Sequence, residues 1–245
     1  MNPLLLVTND DGISSSGLLA LEQALAKVGE VWVVAPERER SAVSQAISIH
    51  RPLRLHPVSE RRFALDGTPV DCVYVALHHL LPRAPACVIS GINRGANLGT
   101  DVIYSGTVGA AREAVLRGIH AVAGSLLHGP DYAAAAREVR AVVEALLRAP
   151  AAPALLLNVN VPPGTPKGRR VTTLGKRHYD DEVEKRLDPR GRPYYWIGGP
   201  GTRIENIGGS DAQEVHDGWV SVTPLGLDQT DHAALAALRD LLGGD

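Results

Sequence analysis

The sequence predicts an α/β fold: a Rossmann-like three-layer core with a mainly parallel sheet over residues 1–161, then a C-terminal extension over 162–245 carrying an extended arm or hairpin subdomain. Three observations predict it. Short β-branched runs alternate with longer helical patterns through the first two-thirds of the chain, the signature of a parallel sheet covered by helices. Near Pro162 the character changes to arginine, glycine and aromatic residues. With 245 residues and 44% hydrophobic content, the chain is long enough to bury one substantial core and still carry an appendage.

Taken in order, Leu4 to Thr8 reads as a buried first strand. A helix follows from about Gly17, with Leu18, Leu21, Leu25 and Val28 on one face and Gly29 closing it. Glu30 to Ala35 is the second strand, and Ala46 to Ile49, Leu53 to Leu55 and Arg62 to Leu65 read as short strands. Pro69 opens a helix carrying Val70, Val73, Leu77 and Leu80. Ala86 to Ser90 is a central strand, followed by helices over Thr107 to Arg117 and Ala133 to Leu147 and strands over Ala121 to Ser125 and Ala154 to Asn158. In the extension, DPRGRP is a hairpin turn, Trp219 to Thr223 a strand and Asp231 to Leu242 a closing helix.

Composition excludes several classes of function. A formal charge of −2 supplies no basic field for long nucleic acid. The start, MNPLLLVTND, has no basic leader, and its apolar run is too short for a signal or a membrane span, which predicts a soluble, cytoplasmic protein with no membrane partner. Cys72 and Cys87 lack a CxxC spacing and read as small buried residues. No HxH, HExxH, GxGxxG or Walker pattern is present, which disfavours zinc, dinucleotide and triphosphate sites.

In open α/β sheets the ligand crevice lies beyond the carboxyl ends of the strands. Three segments fall there: TNDDG, PERERSAVS and GINRGANLGTDVIYSGT. The adjacent carboxylates Asp10 and Asp11 repel one another unless a cation or proton compensates them, and a hard divalent ion with oxygen ligands does this well; capping by one Asp and solvation of the other is the plain alternative. The glycine- and asparagine-rich stretch Gly91 to Gly99 brings backbone N–H groups and amides onto a ligand. Ser105, Gly106 and Thr107 open a helix whose first N–H groups suit phosphate, although an isolated Ser or Thr there also serves as an N-cap. Ser41 ends a mixed-charge run that would ordinarily be a solvated loop.

These blocks together resemble the survival protein SurE family: LLVTNDDGISSSG, VVAPERERSAVS, DGTPVDCV, VISGINRGANLGTDVIYSGTVGAAREA, LNVNVP and VSVTPLGLDQTDHAAL, in order from residue 4 to about 235. The resemblance implies a divalent-metal phosphatase, chiefly a nucleotidase acting on nucleoside monophosphates, with some members also cutting short polyphosphate. It implies Asp10, Asp11, Ser41 and Asn93 as ligands of one divalent ion per subunit, Mn or Mg, and Asn97, Ser105, Gly106 and Thr107 as the phosphate pocket. It also implies a homodimer or homotetramer in which the C-terminal extension exchanges between subunits.

A mechanism consistent with these residues is in-line attack by metal-activated water, with one of the two aspartates assisting proton removal. An aspartyl-phosphate intermediate competes with it. His232, in the TDHAAL segment, is a candidate general acid for the leaving nucleoside oxygen. Two other functions compete. A receiver-like signalling domain would need an Asp after the middle strand, where this chain has glycine and asparagine; a non-catalytic nucleotide-binding module would use the same crevice to sense rather than cleave.

Overall fold

The computed structural model describes residues 2–148, 153–179, 182–198, 202–205 and 207–243. Strand β1 (Leu4–Thr8) is buried along its whole length, as an apolar run in the middle of a parallel sheet must be. Helix α1 (Ser16–Leu25) starts where the Ser15 hydroxyl accepts a hydrogen bond from Leu18 N, and it buries Leu18, Leu21 and Leu25 at helical spacing. Each of those leucines contributes about 1.5–3 kcal/mol of burial free energy. Strands β2 (Glu30–Pro36), β3 (Leu55–Ser59) and β4 (Arg62–Leu65) follow.

Helix α2 (Pro69–Val75) begins with a reciprocal capping box between Thr68 and Asp71 and continues as a wide turn over Ala76–Leu80. Next come β5 (Cys87–Arg94), a tight turn at Gly99–Ile103, α3 (Gly106–Leu116), β6 (Ala121–Leu126), α4 (Tyr132–Arg148) and β7 (Leu156–Val161). The C-terminal part contains β8 (Arg169–Val171), β9 (Arg177–Tyr179), β10 (Val183–Leu187), β11 (Pro193–Ile197), β12 (Thr202–Ile204), α5 (Asp211–His216), β13 (Val220–Leu225) and α6 (Leu235–Leu242).

The main sheet has the order β3-β4-β2-β1-β5-β6-β7-β13-β8. Its six central strands, β4 through β7 in that order, are parallel; β3 and β13 are antiparallel to their neighbours β4 and β7. Helices α1 and α4 cover one face over Leu5, Val7, Ile89 and Val159; α2 and α3 cover the other over Leu6, Val88, Ala121 and Leu156. This is the three-layer architecture expected. The chain builds outward from β1 to β2 and β4 and then crosses back to β5 on the other side of β1, so the switch point, where such folds bind ligands, lies between the carboxyl ends of β1 and β5.

Several expected elements are displaced. Residues 46–49 form no strand: Ala46 O accepts from the Thr68 hydroxyl and Ser48 N donates to Asp71 Oδ1, so the cap of α2 takes the bonds that a sheet neighbour would have made. The short strand expected at Leu53 to Leu55 begins only at Leu55, and the strand expected at Ala154 to Asn158 is Leu156–Val161. β5 runs four residues past the expected Ser90, with a register shift against β6 between Ser90 and Asn93. The closing helix begins at Leu235 rather than Asp231. The DPRGRP turn joins β10 to β11 as expected, with the Asp188 carboxylate accepting from Arg190 N and Arg192 N at 2.8 and 2.9 Å.

Candidate active site

The turn after β1 is held by Asn9, whose fully buried side chain accepts from Gly12 N at 3.2 Å and donates to Gly12 O and to the Ser15 hydroxyl at 3.1 and 2.7 Å. Gly12 has φ +96°, which favours glycine, and a Cβ there would also lie a tight 3.1 Å from the Arg38 backbone. The turn thereby presents Asp10 and Asp11 in succession at the switch point.

Asp10 is 5% exposed and packs against the first turn of α3. Its Oδ2 accepts from Thr107 N at 3.1 Å, and its Oδ1 accepts from the Thr107 hydroxyl. Gly106 is the other wall: a Cβ there would come within 3.0 Å of the Asp10 carboxyl. Burial pushes the Asp10 carboxyl up to about 6 against the lowering effect of the Thr107 hydrogen bond, and the neighbouring Asp11 charge pushes the same way as burial. Asp11 is half-buried and is also raised by burial, opposed by the hydrogen bond from Arg94 N to its Oδ2 at 3.0 Å.

Asn93, at the end of β5, donates its amide nitrogen to Gly95 O at 2.8 Å, which leaves the amide oxygen as its group for a cation. The loop after β2 is tied to the same place by a 2.7 Å bond from Arg40 N to Asp10 O, one residue before Ser41. Ser41 is exposed and donates its hydroxyl proton to Glu39 Oε1 at 2.7 Å, so its oxygen lone pairs remain for a cation. The structure therefore brings the segments carrying Asp10, Asp11, Ser41 and Asn93 to one sheet end. Among the described residues no three His, Cys, Asp or Glu side chains converge as metal ligands. These four residues could offer a cation two carboxylates and two neutral oxygens, a set that suits Mg²⁺ or Mn²⁺ better than zinc.

The expected phosphate residues are placed less uniformly. Ser105 is the N-cap of α3, its hydroxyl oxygen accepting from Val108 N at 3.1 Å while the hydroxyl proton stays available. Thr107 gives both its N–H and its hydroxyl to Asp10, so it supports a carboxylate rather than facing an anion directly. Gly106 N–H belongs to the helix start, where no intrahelical partner exists. Asn97 is 7% exposed and is held through its backbone and its amide.

A cleft of about 240 Å³ opens beside Asp11, lined by Ser14, Ser16, Glu39, Arg94 and Tyr132. His232 is not brought to this group within the chain. β13 runs antiparallel to β7 and ends with Leu225 opposite Leu156, at the amino ends of the parallel strands, so residues 227–242 leave the sheet at the end away from the crevice. His232 pairs with Asp228 at 2.6 Å, both side chains exposed, and this bond holds the Asp228 carboxyl down at about 2.

The sequence model of the family described as Survival protein SurE matches residues 5–181. The chain belongs to the survival protein SurE family. It is 53% identical over 239 residues to the 5'-nucleotidase SurE of Myxococcus xanthus, covering 96% of this chain and 91% of that protein. It is 50% identical over 243 residues to the 5'-nucleotidase SurE of Geotalea daltonii, covering 96% and 97%. The crystal structure of the SurE protein from Aquifex aeolicus superposes with a TM-score of 0.85 at 36% identity, covering 98% of this chain and all of that one.

Sequence reasoning about this SurE-family chain left three sets of site residues unassigned. Asn9, which builds the aspartate turn, lies inside TNDDG but carries no charge to mark it. Asn158 and Asn160 of β7 bond to Asn97, and Asp211 accepts from Gly99 N at 2.9 Å and from Gly175 N at 2.8 Å, pinning the loop that carries Asn97. Polar residues within an apolar strand, as in LNVNV, were the available signal.

Proposed function

We propose that the chain is a divalent-metal-dependent phosphomonoesterase that hydrolyses nucleoside monophosphates to nucleoside and phosphate. The observation that carries the reading is the carboxylate pair Asp10 and Asp11 at the sheet's switch point, with Asp10 buried against the first turn of α3. Two adjacent carboxylates raised by burial call for a cation, and a helix start beside them calls for an anion. A phosphomonoester held by a divalent ion supplies both. The names of the relatives, 5'-nucleotidase SurE, agree with it.

In this reading Asp10, Asp11, Ser41 and Asn93 hold one Mn²⁺ or Mg²⁺. When bound, the ion polarises the phosphoryl group and lowers the pKa of the attacking water. Ser105 and Gly106 orient phosphate oxygens with a hydroxyl proton and a backbone N–H, and Asn97 adds its amide. Asp10 accepts from Thr107 at both oxygens, whereas the hydrogen bond described for Asp11 uses only its Oδ2, so Asp11 is the aspartate with an oxygen left to take a proton from the nucleophile. The cleft between Asp11 and Tyr132 receives the nucleoside.

Short-chain polyphosphate is a second substrate class, with Arg38, Arg40 and Arg51 lining an open cleft beside the loop that carries Ser41, together with Glu37 and with Asp66, which pairs with Arg51. The working form is a cytoplasmic homodimer or homotetramer, joined through the hairpin where Tyr195, Trp196 and Ile197 are exposed. None of the described helices is long and apolar enough to cross a membrane.

The test is inorganic phosphate released from a panel of 5'- and 3'-nucleoside monophosphates after EDTA stripping and after restoring Mn²⁺ or Mg²⁺. Release restored by metal is the expected result. Nucleotide binding without release under any metal would favour the binding module instead.

A further inference from the structure

On the sheet face covered by α3, the carboxyl ends of the strands change from apolar to polar. Ser125 of β6 and Asn158 and Asn160 of β7 are fully buried there, the two asparagines two residues apart on one strand face and Ser125 paired in register with Asn160. Burying such groups is costly unless their hydrogen bonds are made. Their bonds converge on Asn97. Asn160 Oδ1 accepts from Asn97 N at 2.8 Å, and its Nδ2 donates to Asn97 O at 3.0 Å. Asn158 Nδ2 donates to the same carbonyl at 2.8 Å, and Ser125 Oγ accepts from Asn97 Nδ2 at 2.8 Å.

One side-chain amide thus satisfies both backbone groups of a loop residue, as a neighbouring strand would. A second observation shows what this orientation gives up. Asn158 Oδ1 is buried without a hydrogen-bond partner among the described residues. A buried acceptor left unpaired opposes folding, so the Asn158 side chain is set by the Asn97 carbonyl and not by its own needs. Valine at 159 and 161 fills the other face of the same strand, so the polar pair answers a local requirement rather than a property of β7.

We infer that Asn158 and Asn160 are positioning residues of the phosphate pocket, fixing the backbone of Asn97 so that its second amide hydrogen meets a phosphate oxygen of the substrate. The inference rests on the proposed reading, in which Asn97 contacts phosphate. It adds that the contact is set from a strand beneath the loop. Neither asparagine touches Asp10, Asp11, Ser41 or Asn93 through any hydrogen bond described, so phosphate and metal affinities separate.

The experiment uses the Mn²⁺-loaded full chain and measures the KM for a 5'-nucleoside monophosphate, the inhibition constant of inorganic phosphate and, by calorimetry, the Mn²⁺ affinity. Asn160→Leu removes both bonds to the Asn97 backbone, and Asn158→Ala removes one of the two donors to its carbonyl. The expected result is a rise of about tenfold or more in KM and in the phosphate inhibition constant for Asn160→Leu, and a smaller rise in both for Asn158→Ala. Mn²⁺ affinity is expected to stay within about twofold. If Asn160→Leu does not fold, Asn158→Ala carries the test, because Asn160 still holds the loop. Unchanged phosphate constants in the folded variants overturn the inference, and so does Mn²⁺ affinity falling in step with phosphate affinity, which marks general loosening of the site. A wild-type chain that neither hydrolyses nucleotides nor binds phosphate would instead overturn the reading of the site itself.

Discussion

Replacing Asp10 by asparagine should destroy activity and yet stabilise the metal-free chain. Burial raises the Asp10 carboxyl from 3.8 to about 6, so the folded state resists the ionisation that the unfolded state accepts freely. The sign follows from proton binding. Below 3.8 both states are protonated and no penalty exists; as pH rises the unfolded chain ionises first, and the penalty is complete above 6. About two pKa units correspond to about 3 kcal/mol at pH 7.5 and about 1.6 kcal/mol at pH 5. Asparagine has no charge to bury, and it can still donate to the Thr107 hydroxyl and accept from its N–H. Urea unfolding in EDTA should therefore show Asp10→Asn more stable than wild type by up to about 3 kcal/mol at pH 7.5, with a smaller gap at pH 5. Adding Mn²⁺ at about a hundred times its dissociation constant should stabilise only the wild type, by about 2.7 kcal/mol, and close the gap. A variant less stable than wild type in EDTA at pH 7.5, or a gap that does not narrow with acid, would refute the reasoning.

Other substitutions probe the support of the pair. Thr107→Val removes the hydroxyl that Asp10 accepts from while keeping shape, so titration calorimetry should show Mn²⁺ binding weakened about tenfold with the fold retained. Gly106→Ala puts a methyl group 3.0 Å from the Asp10 carboxyl and should reduce turnover severely, whereas Gly226→Ala, which meets nothing within 4 Å, should leave it intact in the same phosphate-release assay. Gly17→Ala brings a Cβ to 2.0 Å from Ile92 O, where α1 crosses β5, and should lower stability by about 1–3 kcal/mol in urea unfolding. Asp211→Ala leaves the Gly99 and Gly175 N–H groups unpaired in a buried place and should lower stability by about 2–5 kcal/mol, with hydrogen exchange accelerated at residues 97–99.

Elements defined by local pattern were legible in the sequence. β1 has the bounds expected of it because five apolar or β-branched residues end at a turn former, and α1 follows from leucines at helical spacing with a serine cap. The reading faltered where a residue's role depends on a distant partner. Gly91 looks like the start of a loop, but β5 continues through it. The glycine is there because a Cβ would lie 2.3 Å from Gly124 O on β6. Residues 46–49 have the composition of a strand and lose their partner to the cap of α2. At the site, Asp10 and Asp11 are marked by charge and position, whereas Ser41 and Asn93 are expected as ligands only through the family resemblance, and Asn93 lies within β5 rather than after it. Asn158, Asn160 and Asp211 reach the loop at Asn97 and Gly99 across 61 to 112 residues of sequence, where no local spacing reveals them. His232 is singled out by its residue type alone; β13 ends at the amino ends of the parallel strands, and the one hydrogen bond described for the His232 side chain is to Asp228.

The most direct test of the account is to titrate Mn²⁺ into the EDTA-stripped chain while recording both heat of binding and phosphate release from a 5'-nucleoside monophosphate. Activity is expected to rise with the same midpoint as binding, to saturate at one ion per chain, and to be absent with the ion unbound in Asp11→Asn. Phosphate release that persists without metal, or that survives undiminished in Asp11→Asn, would contradict it.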